Sequence, residues 1–171
     1  MSMTKTRTPA PELNVATVGG EDWTLSDQTN DAFTLVVFYR GYHCPKCKLY
    51  LGHLKTLLGA LNGKGVGVIA VSGDPQDRAE TTHSEWDLAD LTVGYGQSEG
   101  SMREWGLYVS NSIREGETDR FGEPGLFLIR PDGTLYYAAV NSNPFGRANL
   151  DEISAMIDFV AEKDYPARGE A

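Results

Sequence analysis

The sequence predicts an α/β fold in which a parallel strand–helix–strand unit is joined to an antiparallel hairpin. Three observations carry this reading. Thr34-Leu35-Val36-Val37-Phe38 and Gly65-Val66-Gly67-Val68-Ile69-Ala70-Val71 are continuous apolar runs, as in strands buried on both faces. Between them, Cys47, Leu51, Leu54, Leu58 and Leu61 recur at three- and four-residue steps, with Leu57 beside them, which is the period of one helix face. Further on, the apolar runs beginning at Leu126 and Thr134 flank Pro131-Asp132-Gly133, a turn sequence, and read as a hairpin. A strand–helix–strand crossover of this kind is right-handed.

The elements follow in order. Residues 1–12 are rich in Thr, Pro and charge and read as a flexible arm; residues 13–171 form one domain. Val15-Ala16-Thr17-Val18 and Trp23-Thr24-Leu25, with Gly19-Gly20 in the connection, read as an N-terminal hairpin. Asn62-Gly63 closes the Leu-striped helix with residues that accept a left-handed cap. Residues 76–87 predict a second, weaker helix, and Leu91-Thr92-Val93 a short strand. Ser101 and Glu104 fit a capping box for a short helix through Leu107. Residues 111–123 read as a long polar loop. Asn149 caps a last helix, with Asp151 and Glu152 in its first turn and Lys163 near its end, as the helix dipole favours. Leu150, Ile153, Ile157 and Val160 form its apolar face.

The net charge of -9 argues against a nucleic-acid surface. No run of eighteen apolar residues is present, so no membrane span is expected. The N-terminal residues have basic groups without an apolar stretch behind them, unlike a secretory signal, and the default compartment is cytoplasmic.

The chemistry concentrates where the first buried strand meets the helix, at Arg40-Gly41-Tyr42-His43-Cys44-Pro45-Lys46-Cys47, which holds both cysteines. A C-x-x-C between a strand and a helix is a redox arrangement. Pro45 suits a first helical turn, where its missing N–H has no intrahelical partner anyway. Cys44 then sits at the helix N-terminus, where free N–H groups and the dipole favour a thiolate. His43, Lys46, Lys48 and Arg40 add positive or titratable groups. Cys47 lies one turn on, on the same face, able to attack a mixed disulfide or sulfenic acid on Cys44. Cys44 is therefore expected to be the attacking thiol and Cys47 the resolving one. A zinc site lacks a second ligand pair, since only His43, His53 and His83 accompany the cysteines besides carboxylates. Haem attachment needs His after Cys47, where Lys48 stands. No metal or organic cofactor is implied.

These residues carry a family likeness. Through "LVVFYRGYHCPKC", the Gly-Gly hairpin ahead of it and "EPGLFLIRPDGTLYYA", the chain resembles the peroxiredoxin-like AhpC/TSA (redoxin) group over roughly residues 13–163. The resemblance implies a thioredoxin-like mixed β-sheet flanked by helices, with two antiparallel C-terminal strands. It also implies that Pro124 is the family's cis-proline, packed against the disulfide.

The chain departs from the peroxiredoxin pattern. The Pro and Thr expected shortly before the attacking cysteine are replaced by Arg40 and Gly41, and the strand-side Arg position is taken by Pro124. Arg40 either replaces the missing Arg beside the thiolate or forms a surface ion pair with a carboxylate. Tyr39 is expected to cover the core edge and Tyr42 to face the surface. The loop Asn143-Pro144-Phe145-Gly146-Arg147 either rims the site, reaches a dimer partner or only connects to the last helix.

The expected function is thiol–disulfide oxidoreduction of antioxidant, peroxiredoxin-like character, cycling Cys44 and Cys47, with a thioredoxin- or glutathione-type reductant and a disulfide or peroxide substrate. A true thiol peroxidase and a redox-sensing module without turnover are the alternatives. A homodimer is left open.

Overall fold

The computed structural model describes residues 4–171. Its main sheet has seven strands in the order β2-β1-β5-β4-β3-β8-β9. These are β1 Asn14–Thr17, β2 Trp23–Thr24, β3 Phe33–Phe38, β4 Val66–Val71, β5 Thr92–Tyr95, β8 Gly125–Ile129 and β9 Leu135–Val140. The helices are α1 Pro45–Gly63, α2 Gln76–Glu85, α3 Glu99–Glu104 and α4 Leu150–Lys163.

β3 is the centre of the sheet. It runs parallel to β4, with Leu35 beside Val68, and antiparallel to β8, with Phe38 beside Gly125. All six of its residues are buried, which is why it lacks the alternation of a one-sided strand. Its odd-numbered side chains, Phe33, Leu35 and Val37, join the core under α1 and α4, with Leu51, Leu54, Ile153 and Ile157. Its even-numbered Val36 and Phe38 join a second core with Met102 of α3, Trp105 and Phe127. Phe38, Trp105 and Phe127 meet in tilted and edge-on contacts with centroids 4.9–5.7 Å apart. The Leu stripe of α1 is wholly committed to this packing. Leu54, fully buried, would cost about 2–5 kcal/mol if cut to Ala.

Several sequence expectations are adjusted. The α3 cap is Ser98, whose Oγ accepts from Ser101 N at 3.1 Å, and not Ser101. The polar stretch read as a loop contains the second strand of a hairpin, β6 Val109–Asn111 with β7 Arg120–Gly122. Of residues 1–12, read as a flexible arm, the first three lie outside the described residues, and residues 7–10 lie along the start of β9. Arg7 N donates to Leu135 O, Leu135 N to Thr8 O and Ala10 N to Gly133 O. Among the described residues, no helix is long and apolar enough to cross a membrane.

Candidate active site

The chain leaves β3 at Tyr39 and reverses over five residues before α1 begins. Gly41 makes the reversal, with φ +141°, in a region that disfavours a side chain. Asp74, fully buried in the β4–α2 connection, closes under it. Its Oδ2 accepts the Tyr42 N–H at 2.8 Å, and a Cβ on Gly41 would fall 2.7 Å from its Oδ1. Burial raises the Asp74 carboxyl, while the Tyr42 N–H and Arg78 oppose that shift. Gly41 O in turn accepts the Cys44 N–H at 3.2 Å.

Cys44 is the N-cap of α1, and Pro45 occupies the first turn. The Cys44 sulfur takes the place of a capping oxygen, accepting the Cys47 N–H at 3.2 Å. Both cysteines are reduced and buried, with 1% of Cys44 and none of Cys47 exposed. They share one face of α1, so one ionisation is shared between two sulfurs.

The negative charge falls on Cys44. A hydrogen bond from the Cys47 thiol pulls the Cys44 thiol down to about 5, against the opposing effect of burial. The Cys47 backbone N–H, Arg40 and Arg147 add to the pull. Burial and the neighbouring Cys44 hold Cys47 well above the ordinary thiol range, although Arg147 opposes them.

Arg40 reaches back from the end of β3 to Glu123, with Nε 3.0 Å from Oε2, and lies over the Phe121 ring at 4.8 Å. Its carboxylate partner is therefore buried, not at the surface, and the same guanidinium lies beside Cys44. The surface ion pair weighed for Arg40 is thus corrected to a buried one with Glu123. His43 supplies no charge. Burial and Arg40 push it down to about 4, and its ring packs on Phe121 at 4.6 Å. Tyr39 is buried against Trp86, while Tyr42 stacks on the outer side of Trp86 and donates to Glu85 at 2.5 Å. Lys46 Nζ lies over the Phe145 ring, 5.4 Å from its centroid.

Pro124 precedes β8, but its peptide bond is trans, as are all peptide bonds among the described residues. The cis expectation is thereby corrected. Glu123 N donates to Tyr108 O, Pro124 O accepts from Asn141 N, and the Glu123 carboxylate is delivered to Arg40. Trans is also the intrinsic preference, by about 0.5–1 kcal/mol.

Sequence reasoning left one residue of the site without a role. Arg147, in the loop before α4, places Nη2 2.8 Å from Cys47 Sγ and 4.0 Å from Cys44 Sγ. Its guanidinium lies over the Tyr50 ring at 4.9 Å. The loop therefore rims the site. Arg147 also lines, with Lys46, Leu49, Tyr50 and Asp151, a cleft of about 470 Å³. No local sequence signal marks Arg147, since its partner Cys47 lies one hundred residues away.

Comparison with solved structures gives the same architecture. The chain is similar to the peroxidoxin BcpB of Mycobacterium tuberculosis at 17% identity and TM-score 0.75, over 93% of this chain and 99% of that one. It is similar to the reduced 2-Cys peroxiredoxin of Plasmodium vivax at 19% identity and TM-score 0.73, over 94% and 84%. It is similar to the yeast mitochondrial 1-Cys peroxiredoxin at 15% identity and TM-score 0.76, over 95% and 78%. At these identities the likeness is one of fold. No curated protein matches the sequence. The AhpC/TSA family model matches residues 6–138, which contain the whole of the sheet but its last two residues together with both cysteines, and the chain belongs to the AhpC/TSA family.

Proposed function

We propose that the chain is a dithiol hydroperoxide reductase. The Cys44 thiolate attacks one peroxide oxygen and the O–O bond breaks. Sulfur is oxidised to a sulfenic acid, and the leaving hydroxide or alkoxide takes a proton from solvent. Cys47 gives up its proton, attacks the Cys44 sulfur and displaces hydroxide, which leaves as water. The Cys44–Cys47 disulfide is returned to the dithiol by two electrons from a thiol donor. The yeast neighbour's thiol-resolving mechanism runs via glutathione/thioredoxin systems, which supports a donor of that class here.

The observation that carries the reading is an almost wholly enclosed sulfur, 1% of Cys44 being exposed, that caps α1 by accepting the Cys47 N–H and has Arg147 4.0 Å away. A small hydroperoxide needs the least opening to reach such a sulfur; a disulfide on another folded protein, like a thioredoxin-type donor, reaches it only when the site opens. Family membership supports the same chemistry. Helix-end N–H groups and cations aimed at one sulfur are the usual means of activating a thiol.

The test is consumption of hydrogen peroxide and of an organic hydroperoxide with a thioredoxin-regenerating system, beside reduction of insulin disulfides. Rapid peroxide loss that disappears in Cys44→Ser is expected. Insulin reduction without peroxide loss would move the assignment to a disulfide oxidoreductase. Loss of neither substrate would leave a redox sensor.

A further inference from the structure

We propose that Arg147 is a catalytic residue of the resolving step, its guanidinium held on the Cys47 sulfur so that this sulfur ionises once Cys44 has been oxidised. This rests on the dithiol cycle proposed above and assigns a separate residue to its second half.

The geometry is unequal. Arg147 Nη2 lies 2.8 Å from Cys47 Sγ but 4.0 Å from Cys44 Sγ. A cation serving only the first thiolate would be expected nearest the sulfur at the helix N-terminus. That place is served instead by the Cys47 N–H and by Arg40. Arg147 Nε and Nη1 are buried without a hydrogen-bond partner among the described residues, so the sulfurs are its hydrogen-bond acceptors.

The guanidinium is also held in place. Tyr50 lies under it and donates through its hydroxyl to Ala148 O at 2.6 Å. Asn141 Nδ2 donates to Gly146 O at 2.9 Å, and Asn143 Oδ1 accepts from Phe145 N at 2.8 Å. The loop is thus tied on both sides of Arg147. An arginine pre-positioned in this way stabilises an anion where one will form.

The charges facing Cys47 come from three places. Cys44 lies at the start of its own helix, Arg40 at the end of β3 beside Tyr39, whose hydroxyl burial keeps neutral, and Arg147 in the loop before α4. In the dithiol state the Cys44 thiolate holds the proton on Cys47. When Cys44 becomes a neutral sulfenic acid, that restraint is gone, and a part-buried guanidinium, its Nε and Nη1 closed off from solvent, is left without an anion. An unpaired buried charge is unfavourable, and ionisation of Cys47 relieves it. The proton leaves to solvent, the S–S bond forms, the S–O bond breaks, and the hydroxide released is protonated to water. The negative charge is handed from the first sulfur to the second as the first reacts.

The test is single-turnover oxidation of the full chain by hydrogen peroxide, with dimedone trapping of sulfenic acid, in wild type, Arg147→Gln and Arg147→Lys. Arg147→Gln should slow disulfide closure by roughly tenfold or more and slow the first oxidation far less. Trapped sulfenic acid and over-oxidised Cys44 should then accumulate. Arg147→Lys should restore part of the closure rate, and raising the pH should shorten the lifetime of the sulfenic acid in Arg147→Gln. A variant that slows the first oxidation and Cys44 alkylation while closure keeps its wild-type rate overturns the assignment and gives Arg147 to Cys44. A wild-type chain inert to peroxide overturns the dithiol cycle and the assignment together.

Discussion

Glu123 and Arg40 form a buried ion pair, Nε to Oε2 at 3.0 Å, and the second oxygen of Glu123 accepts the Ser110 hydroxyl at 2.7 Å. The pair joins the β6–β7 hairpin to the start of the cysteine loop, and its cationic member also faces Cys44. Cutting Arg40 to Ala leaves a buried carboxylate without its cation and should cost about 3–5 kcal/mol in denaturant unfolding. Alkylation of Cys44 at neutral pH should slow in the same variant. Glu123→Gln removes the acid but keeps the guanidinium, so stability should fall less and alkylation should not slow. Equal slowing in both variants would show that Arg40 acts only by holding the loop.

Gly41 faces Asp74 with no room for a side chain. Gly41→Ala combines a φ of +141° with a Cβ 2.7 Å from Asp74 Oδ1. A loss of about 1–3 kcal/mol is expected in thermal or denaturant unfolding. Because the same turn accepts the Cys44 N–H, alkylation of Cys44 should slow as well. A variant of wild-type stability would mean that the turn is loosely held.

The ionised Cys44 has a definite pH signature. Its folded value is about 5, below the ordinary thiol value of about 8.5. Between those limits the unfolded chain binds the extra proton. The contribution to stability is complete above about 8.5 and is lost as pH falls toward 5. Cys47 is shifted upward and acts in the opposite sense at higher pH. His43, lowered to about 4, adds its own loss of stability below its ordinary value. The difference in unfolding free energy between wild type and Cys44→Ser should therefore shrink as pH falls from 8.5 to 5. The alkylation rate of wild type should stay high down to pH 6. A rate that rises only near 8.5 would show a neutral thiol.

The N-terminal segment is expected to support the sheet without touching the chemistry. A chain lacking residues 1–10 loses the three backbone hydrogen bonds made by Arg7, Thr8 and Ala10 along β9. At roughly 1 kcal/mol each, the loss is a few kcal/mol. The thermal midpoint should drop while Cys44 alkylation keeps its rate. An unchanged midpoint would mean that this edge needs no cover.

Much of the fold was legible because its main elements repeat a single pattern. β3 and β4 are uninterrupted apolar runs, and Leu51, Leu54, Leu58 and Leu61 mark one helix face. Cys44 at the cap was legible because Pro45 tolerates only a few places near a helix. β7 was missed because it is three residues long with one apolar side chain, Phe121, whose partners His43 and Arg40 are distant in sequence. Arg147 has no local signal for its role, since its contact with Cys47 spans one hundred residues. The isomer of Pro124 was misjudged because the family resemblance was set above the intrinsic preference for trans.

The most direct test is one equivalent of hydrogen peroxide added to the reduced chain at neutral pH, followed by intact and peptide mass measurement. The expected result is loss of two hydrogens, with Cys44 and Cys47 joined in one peptide and both closed to alkylation. Cys47→Ser should instead retain a sulfenic acid on Cys44. A chain whose two thiols remain free and alkylatable after that exposure would contradict an ionised, peroxide-reactive Cys44.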